Sequence, residues 1–483
     1  MIQQFLLNQK GLDQASQQGD PSDFRMTEKI AEFYGQINNQ GGFFMGLSRS
    51  LATGASSLRA HQQRMDVISN NLANANTIGY KSNRANFSDQ FYQVYTHGVA
   101  PNVQGSRGNG GLNPHQFGNG VRLSSITQNM AQGVIESSER ALDMAVQGDG
   151  FFIYNMNGRE LYSRAGNISQ DRDGNLIDTA TGAFLQGYNV DKTTNGVIIK
   201  NADGSNRLSA TKNNLVIPPD ITSPPRQTQN ISFFGNLNAG MATGDTRSTS
   251  INVYDNIGGV HNLTFTFTKT ANPNEYALAA TIDGQAVNTN ATTIQFNADG
   301  TLNTPTNVLI NYADLNTAIG NNVFATTPTA MTIQLADPNN LMSGITQFAG
   351  ANTASFKTQD GYTSGDLLTL SVGRDGKIWG SFTNGKTELL GQVLLARFTN
   401  QEGLVRTGDN FFSVSPNSGD PIIGTVNDIF SSTSIIGNSL EQSNVDMTVE
   451  FTRLITTQRA FEAASRTITV SDTLLAEVNQ LKR

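Results

Sequence analysis

Apolar residues recur with the period of an α-helix in a segment that begins near Met45. The recurring positions are Leu47, Leu51, Leu58, Met65, Ile68 and Leu72. Their steps of three, four and seven residues predict an amphipathic helix, and steps of seven favour packing against a second helix. An Asn-rich stretch at 70–76 and Gly79 follow. Because Asn competes for backbone hydrogen bonds and glycine adopts the left-handed conformation that stops a helix, we expect the helix to end within 70–81.

The last segment of the chain supplies a partner for this helix. Ser443-Asn444 is a favourable N-cap. Apolar residues then follow at intervals of seven: Met447, Leu454, Phe461, Ile468 and Leu475. Val445, Phe451, Ile455, Val478 and Leu481 lie beside this row. We expect one long helix that runs almost to Arg483 and pairs with the first helix in a coiled-coil-like core.

The chain between the two helices carries the patterns of β-structure. Residues 263–268 alternate apolar and Thr side chains, which predicts an antiparallel strand with one solvated face. Asp-Gly and Gly-Asn pairs between apolar runs, as in 146–154 and 171–175, predict hairpin turns. Everything between the helices is therefore expected to be β.

The segment that follows the first helix is less regular. Phe87, Phe91 and Tyr92 are spaced as in a short amphipathic continuation of the helical region. Residues 97–120 are rich in glycine and predict an extended connection.

Changes in composition divide the chain into domains. Proline pairs at 218–219 and 224–225 mark one change, and a Thr- and Asn-rich stretch extends from there to about 360. We predict a mainly β fold with terminal α-helices, in which two nested, discontinuous or inserted β domains lie between the paired helices. The predicted domains are a helical core (45–95 with 433–483), an inner β domain (96–213 with 361–432) and an outer inserted β domain (214–360). Whether the outer module is one domain or two stays open at this stage.

Residues 1–44 differ from the rest because they are polar and irregular. Gln40-Gly41-Gly42 can be encoded by a purine-rich sequence that resembles a ribosome-binding site, at a suitable distance before Met45. We expect translation to start at Met45, and N-terminal sequencing that finds Met1 would contradict this. The alternative is a genuine flexible tail, because chain termini tolerate such additions.

Composition narrows the possible partners. The formal net charge is −7 and charged residues make up only 15% of the chain, so no general attraction to nucleic acid or to an anionic membrane is expected. The chain has no cysteine, which excludes disulfides and thiolate chemistry.

The sequence contains no pattern that favours catalysis, a metal or a cofactor. The four His residues are scattered without metal-ligand spacing. Residues 171–175 faintly resemble a calcium loop, but Leu176 stands where that loop needs Gly and Gly182 stands where it needs a bidentate Glu. A hairpin turn is the better interpretation, and we expect a protein that is not an enzyme.

The Asn cluster has two compatible interpretations. It can act as a helix terminator, or it can form contacts between identical subunits, where neutral amides give specific hydrogen bonds without charge repulsion.

Long motifs at both ends resemble those of the flagellar axial proteins. The N-terminal motif is MDVISNNLANANTIGYK at 65–81, and the C-terminal motif comprises 440–446, 450–452, 457–461 and 464–466. Residues 148–152 and 186–188 resemble segments shared by rod and hook proteins. The middle of the chain resembles the hook members of the family at 235–238, 253–258, 360–367, 384–385, 390–392 and 408–410. The extension 1–44 departs from the family pattern.

The resemblance implies a structural subunit that polymerises into a flexible curved tube, links the basal-body rod to the filament and transmits torque. It implies an extracellular position and type III export without a cleaved signal peptide. The implied partners are further copies of the chain, the distal rod protein, the hook–filament junction protein, the hook cap and the export apparatus. A distal rod or hook-associated protein is the nearest alternative, and a secreted β-rich enzyme or adhesin is an alternative of another class.

The terminal pairing and the resemblance together select candidate assembly contacts. They are Leu51, Leu58, Met65, Asn70, Asn71, Leu72, Asn74, Asn76, Gly79, Asn444, Met447, Leu454, Phe461, Ile468 and Leu475.

Overall fold

A computed structural model of the chain describes residues 48–101, 110–192, 198–201, 205–337, 340, 343–429 and 432–481. The extension 1–44 and the expected start at Met45 lie outside these ranges, as do the side chains of Val478 and Leu481. Contacts within the chain define two compact units. We call them the terminal unit, which comprises the described residues up to Val134 and from Gln442 onward, and the middle unit, Ile135–Glu441.

The helices of the described chain are unequal in length. They are α1 (48–73), α2 (Tyr312–Ile319), α3 (Val426–Ile429) and α4 (Met447–Leu481), with one 3₁₀ turn at Gln401–Gly403. The two long helices confirm the prediction from apolar periodicity. The expectation of β-structure throughout the region between them is wrong at α2 and α3, which are too short to produce a helical period in the sequence.

Helices α1 and α4 pack against each other in opposite directions. Near the start of α1, a Cβ atom on Gly54 would lie 2.8 Å from the Cγ1 atom of Ile468. Farther along α1, Arg64 lines the same cavity as Glu450, which lies near the start of α4. The predicted pairing of the two chain ends is confirmed.

Two rows of α4 form the side that packs. The apolar row Leu454, Phe461, Ile468 and Leu475 is half-buried, and a row of smaller or polar residues beside it is buried: Glu450, Thr457, Ala464 and Ser471. The rows alternate in steps of three and four, which is the spacing of a helix–helix seam. Met447, the first of the five predicted apolar positions, is instead 45% exposed.

The terminal unit also contains two antiparallel strand pairs. Asn83–Asp89 pairs with Val121–Gln128, and Tyr92–Thr96 pairs with His115–Gly118. The expectation that Phe87, Phe91 and Tyr92 continue the helical region is therefore wrong, because Phe87 and Tyr92 lie on strands. The connection expected at 97–120 likewise contains the strand His115–Gly118.

The middle unit is built on a 14-stranded sheet. Its strands are Phe151–Met156, Arg159–Ser163, Ile168–Gln170, Leu176–Asp178, Phe184–Asn189, Asn213–Asn214, Thr222–Ser223, Gly365–Val372, Lys377–Phe382, Thr387–Val393, Leu395–Arg397, Val405–Gly408, Phe411–Ser413 and Ile422–Gly424. Two further pairs join Met144–Gln147 to Ser434–Gly437 and Ile135–Ser137 to Ser439–Glu441. Residues up to Ser223 and from Gly365 onward thus interleave in one β domain, with a core that includes Phe152, Leu215 and Val393.

The turn at 171–175 closes a hairpin between Ile168–Gln170 and Leu176–Asp178. The Asp171 carboxylate accepts hydrogen bonds from the Asn175 side chain and from the backbone N–H of Asn175, at 2.8 and 2.7 Å. The hydrogen bond from the Asn175 side chain contributes most to lowering the pKa of Asp171 below its ordinary value, and the backbone hydrogen bond adds to this effect. The carboxylate is occupied by the turn itself, which supports the hairpin interpretation.

Two further sheets form an inserted β domain. The five-stranded sheet comprises Asn230–Asn236, Asn307–Asn311, Ala330–Gln334, Ile345–Thr346 and Ser355–Gln359. The six-stranded sheet comprises Thr246–Tyr254, Val260–Lys269, Glu275–Ile282, Gln285–Val287, Thr293–Phe296 and Leu302–Thr304. The predicted alternation is present, because Leu263, Phe265 and Phe267 are buried whereas the intervening threonines are half-buried.

The inserted domain has one continuous apolar core of its own, contributed by residues between Ile231 and Phe356. The inner sheet has a second core, contributed by residues on both sides of that insertion. The predicted class of fold, mainly β with paired terminal helices and nested β domains, is confirmed. The domain limits drawn from composition stay a prediction. Within the described ranges, no helix has the length and apolar character needed to cross a membrane.

Candidate assembly site

The end of α1 is fixed by amides that bond within the subunit. Asn71 is 1% exposed, its Nδ2 donates to the Asn83 carbonyl oxygen at 2.8 Å, and its Oδ1 accepts from the Asn83 N–H at 2.8 Å. The exposed Asn70 accepts a hydrogen bond from the Tyr80 hydroxyl at 2.8 Å. These amides join the last turn of α1 to the strand that follows it, which is a more specific role than helix termination.

The remainder of the Asn cluster forms a compact turn. The Asn74 side chain donates to the Asn70 carbonyl oxygen at 2.9 Å and accepts from the Thr77 hydroxyl at 3.1 Å. Gly79 is buried and has a φ of 69°, the left-handed conformation that the sequence led us to expect. Asn76 is exposed on this turn.

Asn444 connects the start of the C-terminal segment to the rest of the terminal unit. Its Oδ1 accepts from the Ser82 N–H at 2.8 Å, and its Nδ2 donates to the carbonyl oxygens of Asn129 and Ala131 at 2.8 and 2.9 Å. Its backbone N–H donates to the Tyr80 carbonyl oxygen at 3.3 Å. Three separate segments therefore meet at this one side chain.

The apolar candidates on α1 lie partly inside the subunit. Leu51, Leu58, Met65 and Leu72 are half-buried. The buried positions of α1 include Gly54 and Ala60, which apolar periodicity overlooks because their side chains are small. The close approach of Ile468 to Gly54 gives this glycine a packing role that only the paired structure reveals.

Two buried residues after the turn complete the local framework. Tyr80 is 4% exposed and Lys81 is 1% exposed. The Lys81 ammonium group donates to the Ala131 carbonyl oxygen at 2.9 Å, close to the Asn444 amide that shares this acceptor. A buried lysine has no signal in the polarity pattern, so sequence reasoning gave Lys81 no structural role.

The terminal unit carries an exposed apolar ribbon, which we define as the hairpin of Tyr92–Thr96 with His115–Gly118 and its flanking residues. The ribbon's exposed large side chains are Phe91, Tyr92, Val94, Tyr95, Val99, Leu112 and Phe117. Phe91 is 88% exposed and Tyr95 is 75% exposed. A group of exposed apolar side chains of this size favours an interaction with another molecule. Sequence reasoning missed it, because Phe91 and Tyr92 were assigned to a short amphipathic continuation of the helical region.

A second exposed apolar surface runs along α4. Its members are Met447, Val449, Phe451, Ile455, Val470 and Leu474. They lie outside the rows that pack against α1. The same helix therefore offers one face to its own subunit and leaves other apolar positions uncovered.

His61 lies on α1 close to Phe87 and Arg64. Burial, with a smaller contribution from the positive charge of Arg64, lowers the pKa of His61 below its ordinary value. The His61 ring packs edge-on against the Phe87 ring, with 6.2 Å between centroids. His61 thus packs from the surface of α1 against the strand Asn83–Asp89.

The fold and the site together define a class of self-assembling structural protein, with paired terminal helices, nested β domains and uncovered apolar surface at the chain ends. Sequence comparison identifies that class as the flagellar axial proteins. The family described as Flagella basal body rod protein matches residues 51–81, and Flagellar basal body rod FlgEFG protein C-terminal matches 437–481. Flagellar hook protein FlgE/F/G D1 domain matches 145–233, and Flagellar basal body protein FlaE D2 domain matches 225–362.

Full-length relatives identify the particular family. The chain is 32% identical to the flagellar hook protein FlgE of Treponema pallidum and 33% identical to that of Borreliella burgdorferi, in each case over 90% of this chain and 100% of the relative. A crystal structure of Helicobacter pylori flagellar hook protein FlgE2 has 15% sequence identity and a TM-score of 0.45, covering 64% of this chain and 100% of that one. The chain belongs to the flagellar hook protein family. It is a structural subunit of the flagellar hook and not an enzyme.

Proposed function

We propose that the chain polymerises through its terminal unit into the flexible, curved tube that links the basal-body rod to the filament and transmits torque. The observation that carries this proposal is the distribution of exposed apolar surface. Most of the large apolar side chains exposed in the described residues belong to the terminal unit, although the middle unit is the larger part of the chain. A contact between unlike surfaces of identical copies, repeated without closing, generates a helical tube.

The candidate contacts then divide by exposure. Asn70, Asn76 and Met447 are exposed and would contact neighbouring copies directly. Asn71 and Gly79 are buried and would act by holding the end of α1 in place. The half-buried candidates on α1 and α4 would serve both the pairing within a subunit and the contact between subunits.

The middle unit would face neighbours with neutral polar groups. We propose an outer domain drawn from 214–360, an inner domain drawn from 96–213 with 361–432, and a helical core drawn from 45–95 with 433–483. By contacts within the chain, the described residues of 96–134 belong to the terminal unit and 433–441 to the middle unit, and the inner sheet and core include Leu215 and Thr222–Ser223. On the outer domain, half-buried Thr264, Thr266 and Thr268 lie along one strand face. Such a surface could exchange hydrogen bonds at little net cost as copies slide during rotation.

The position in the flagellum implies further partners. We propose that the tube joins the distal rod protein at one end and the hook–filament junction protein at the other, and that the hook cap supports its growth. The subunit would leave the cell through the flagellar type III export apparatus without a cleaved signal peptide and act outside the cell. The membership of the hook family supports these proposals.

Removing apolar side chains from the ribbon tests the role of the terminal unit. The double variant Phe91→Ser, Tyr95→Ser is expected to raise the critical concentration for polymerisation at least about tenfold, because a buried aromatic side chain contributes roughly 1.5–3 kcal/mol and each 1.4 kcal/mol is a factor of about ten. Pelleting of the polymer at graded protein concentrations measures this value. The matched control is Ile257→Ser with Leu368→Ser, which removes two other largely exposed apolar side chains (72% and 64%) from the middle unit. Equal critical concentrations for both double variants would contradict the proposal.

A further inference from the structure

A buried ion pair joins the two ends of the inner β domain, by which we mean the 14-stranded sheet with its two further strand pairs. The Arg164 side chain is 2% exposed and the Glu441 side chain is fully buried, and 3.8 Å separates Nη1 of Arg164 from Oε2 of Glu441. Arg164 follows the strand Arg159–Ser163, and Glu441 is the last residue of the strand Ser439–Glu441. The inserted domain lies between these two strands in the chain, so the pair forms only when both ends of the middle unit have come together.

Glu441 is the main countercharge of Arg164. The Arg164 Nη1 atom also donates to the Gly148 carbonyl oxygen at 2.7 Å, and the guanidinium lies 5.0 Å from the centroid of the Phe151 ring. Burial lowers the pKa of Arg164 below its ordinary value, and the charge of Glu441 opposes this effect more strongly than that of Asp149. Asp149 is exposed, so water screens its charge.

The strands at the start of the inner β domain depend on the same end of the chain. Met144–Gln147 pairs with Ser434–Gly437, and Ile135–Ser137 pairs with Ser439–Glu441. Each pair is a separate two-stranded sheet in the described part of the chain. Without 433–441, the two early strands therefore have no partner strand and Arg164 has no buried countercharge.

A buried ion pair has an asymmetric effect on folding. When both partners are present, the cost of removing two charges from water roughly offsets their attraction. When one partner is absent, an uncompensated charge has to be buried, which is strongly unfavourable. The pair of Arg164 with Glu441 therefore sets a condition for folding more than it adds to the stability of the complete chain.

We propose that the pair of Arg164 with Glu441 makes closure of the inner β domain depend on the last strand before α4. In a chain whose synthesis has not reached Glu441, the inserted domain can fold on its own core, between Ile231 and Phe356, while the inner β domain stays open. The inner β domain then closes only in a chain that also carries the segment leading into α4. This closure acts within one subunit and is independent of polymerisation.

The test measures unfolding of full-length variants in urea. Trp379 is the single tryptophan of the chain and lies on the inner strand Lys377–Phe382, so its fluorescence reports the inner β domain. Hydrogen exchange at the strand Val260–Lys269 reports the inserted domain. Glu441→Gln is expected to raise the unfolding equilibrium constant of the inner β domain at least roughly a hundredfold, with the inserted domain unchanged, because it leaves Arg164 buried without a countercharge.

Two further variants make the test specific to the buried charge. Arg164→Met with Glu441→Met replaces both partners by apolar side chains, and it is expected to return the equilibrium constant to within about tenfold of the wild type. Arg207→Gln is the matched control, since it breaks the pair with Asp191 at the surface, where Arg207 is 52% exposed. A change of less than about fivefold is expected for such an exposed pair.

The outcomes decide the proposal in each case. If Glu441→Gln changes the Trp379 transition no more than Arg207→Gln does, or weakens both β domains equally, the conditional closure is refuted. If the double Met variant is as unstable as Glu441→Gln, the loss comes from altered packing and the proposal is refuted as well. If the inner β domain of Glu441→Gln does not fold even without urea, a folded Trp379 environment in the double Met variant supports the proposal, and an unfolded one refutes it.

Discussion

Replacing Asn71 with alanine is expected to lower the free energy of unfolding of the terminal unit by about 2–4 kcal/mol, because two backbone groups that its amide satisfies lose their partners at roughly 1–3 kcal/mol each. Asn71 is 1% exposed and satisfies both the N–H and the carbonyl oxygen of the half-buried Asn83 at 2.8 Å. Alanine is a better helix former than asparagine, which offsets only about 0.7 kcal/mol of the loss. Hydrogen exchange at the amides of α1 and α4 measures the difference.

Asn76→Ala is the matched control for this prediction. It removes the same side chain a short distance along the chain, from an exposed position of the turn. A change within about 0.5 kcal/mol is expected for such a surface substitution. Equal effects of the two substitutions would mean that the amide pairing of Asn71 with Asn83 does not stabilise the end of α1.

Replacing Phe265 with alanine is expected to destabilise the inserted β domain by about 3–5 kcal/mol, which is the usual cost of truncating a buried phenylalanine. Phe265 is fully buried on the strand Val260–Lys269, and its ring lies 5.4 Å from that of Phe356. The stability of a whole domain is about 5–15 kcal/mol, so a large part of it would be lost. Because the inner β domain has a separate core, its own unfolding transition should be unchanged.

Calorimetry with a neighbouring substitution makes this prediction specific. Thr266→Ala changes the next residue of the same strand, whose half-buried hydroxyl lies 3.0 Å from that of Ser248. Loss of this one hydrogen bond is expected to cost about 0.5–1.5 kcal/mol. If Phe265→Ala lowers the transitions of both β domains together, the two cores are one cooperative unit and the nested description needs revision.

Much of the fold follows from periodicity in the sequence. The seven-residue row of α4 and the alternation at 263–268 each repeat often enough to define one structure. The region of Phe87 and Tyr92 does not, because a few aromatic residues in a short window fit either a helix or a strand. The structure there is decided by pairing with segments distant in sequence: 83–89 pairs with 121–128, and 92–96 pairs with 115–118.

The site was less predictable than the fold. The pattern around Asn71 predicts a helix end, but no local signal reveals that its amide pairs with Asn83. Gly54 packs against Ile468, and an absent side chain leaves no mark in an apolar period. Glu450 and Arg84 come together only through tertiary structure, so their cavity could not be inferred from spacing.

Electron microscopy of the chain without residues 442–483 tests the central claim, that the terminal unit drives assembly. No tubes are expected from this truncated chain at concentrations where the full chain forms them, while calorimetry still shows the folded β domains, whose two cores lie outside the deletion. Tubes of normal appearance from the truncated chain would mean that the terminal unit does not drive assembly.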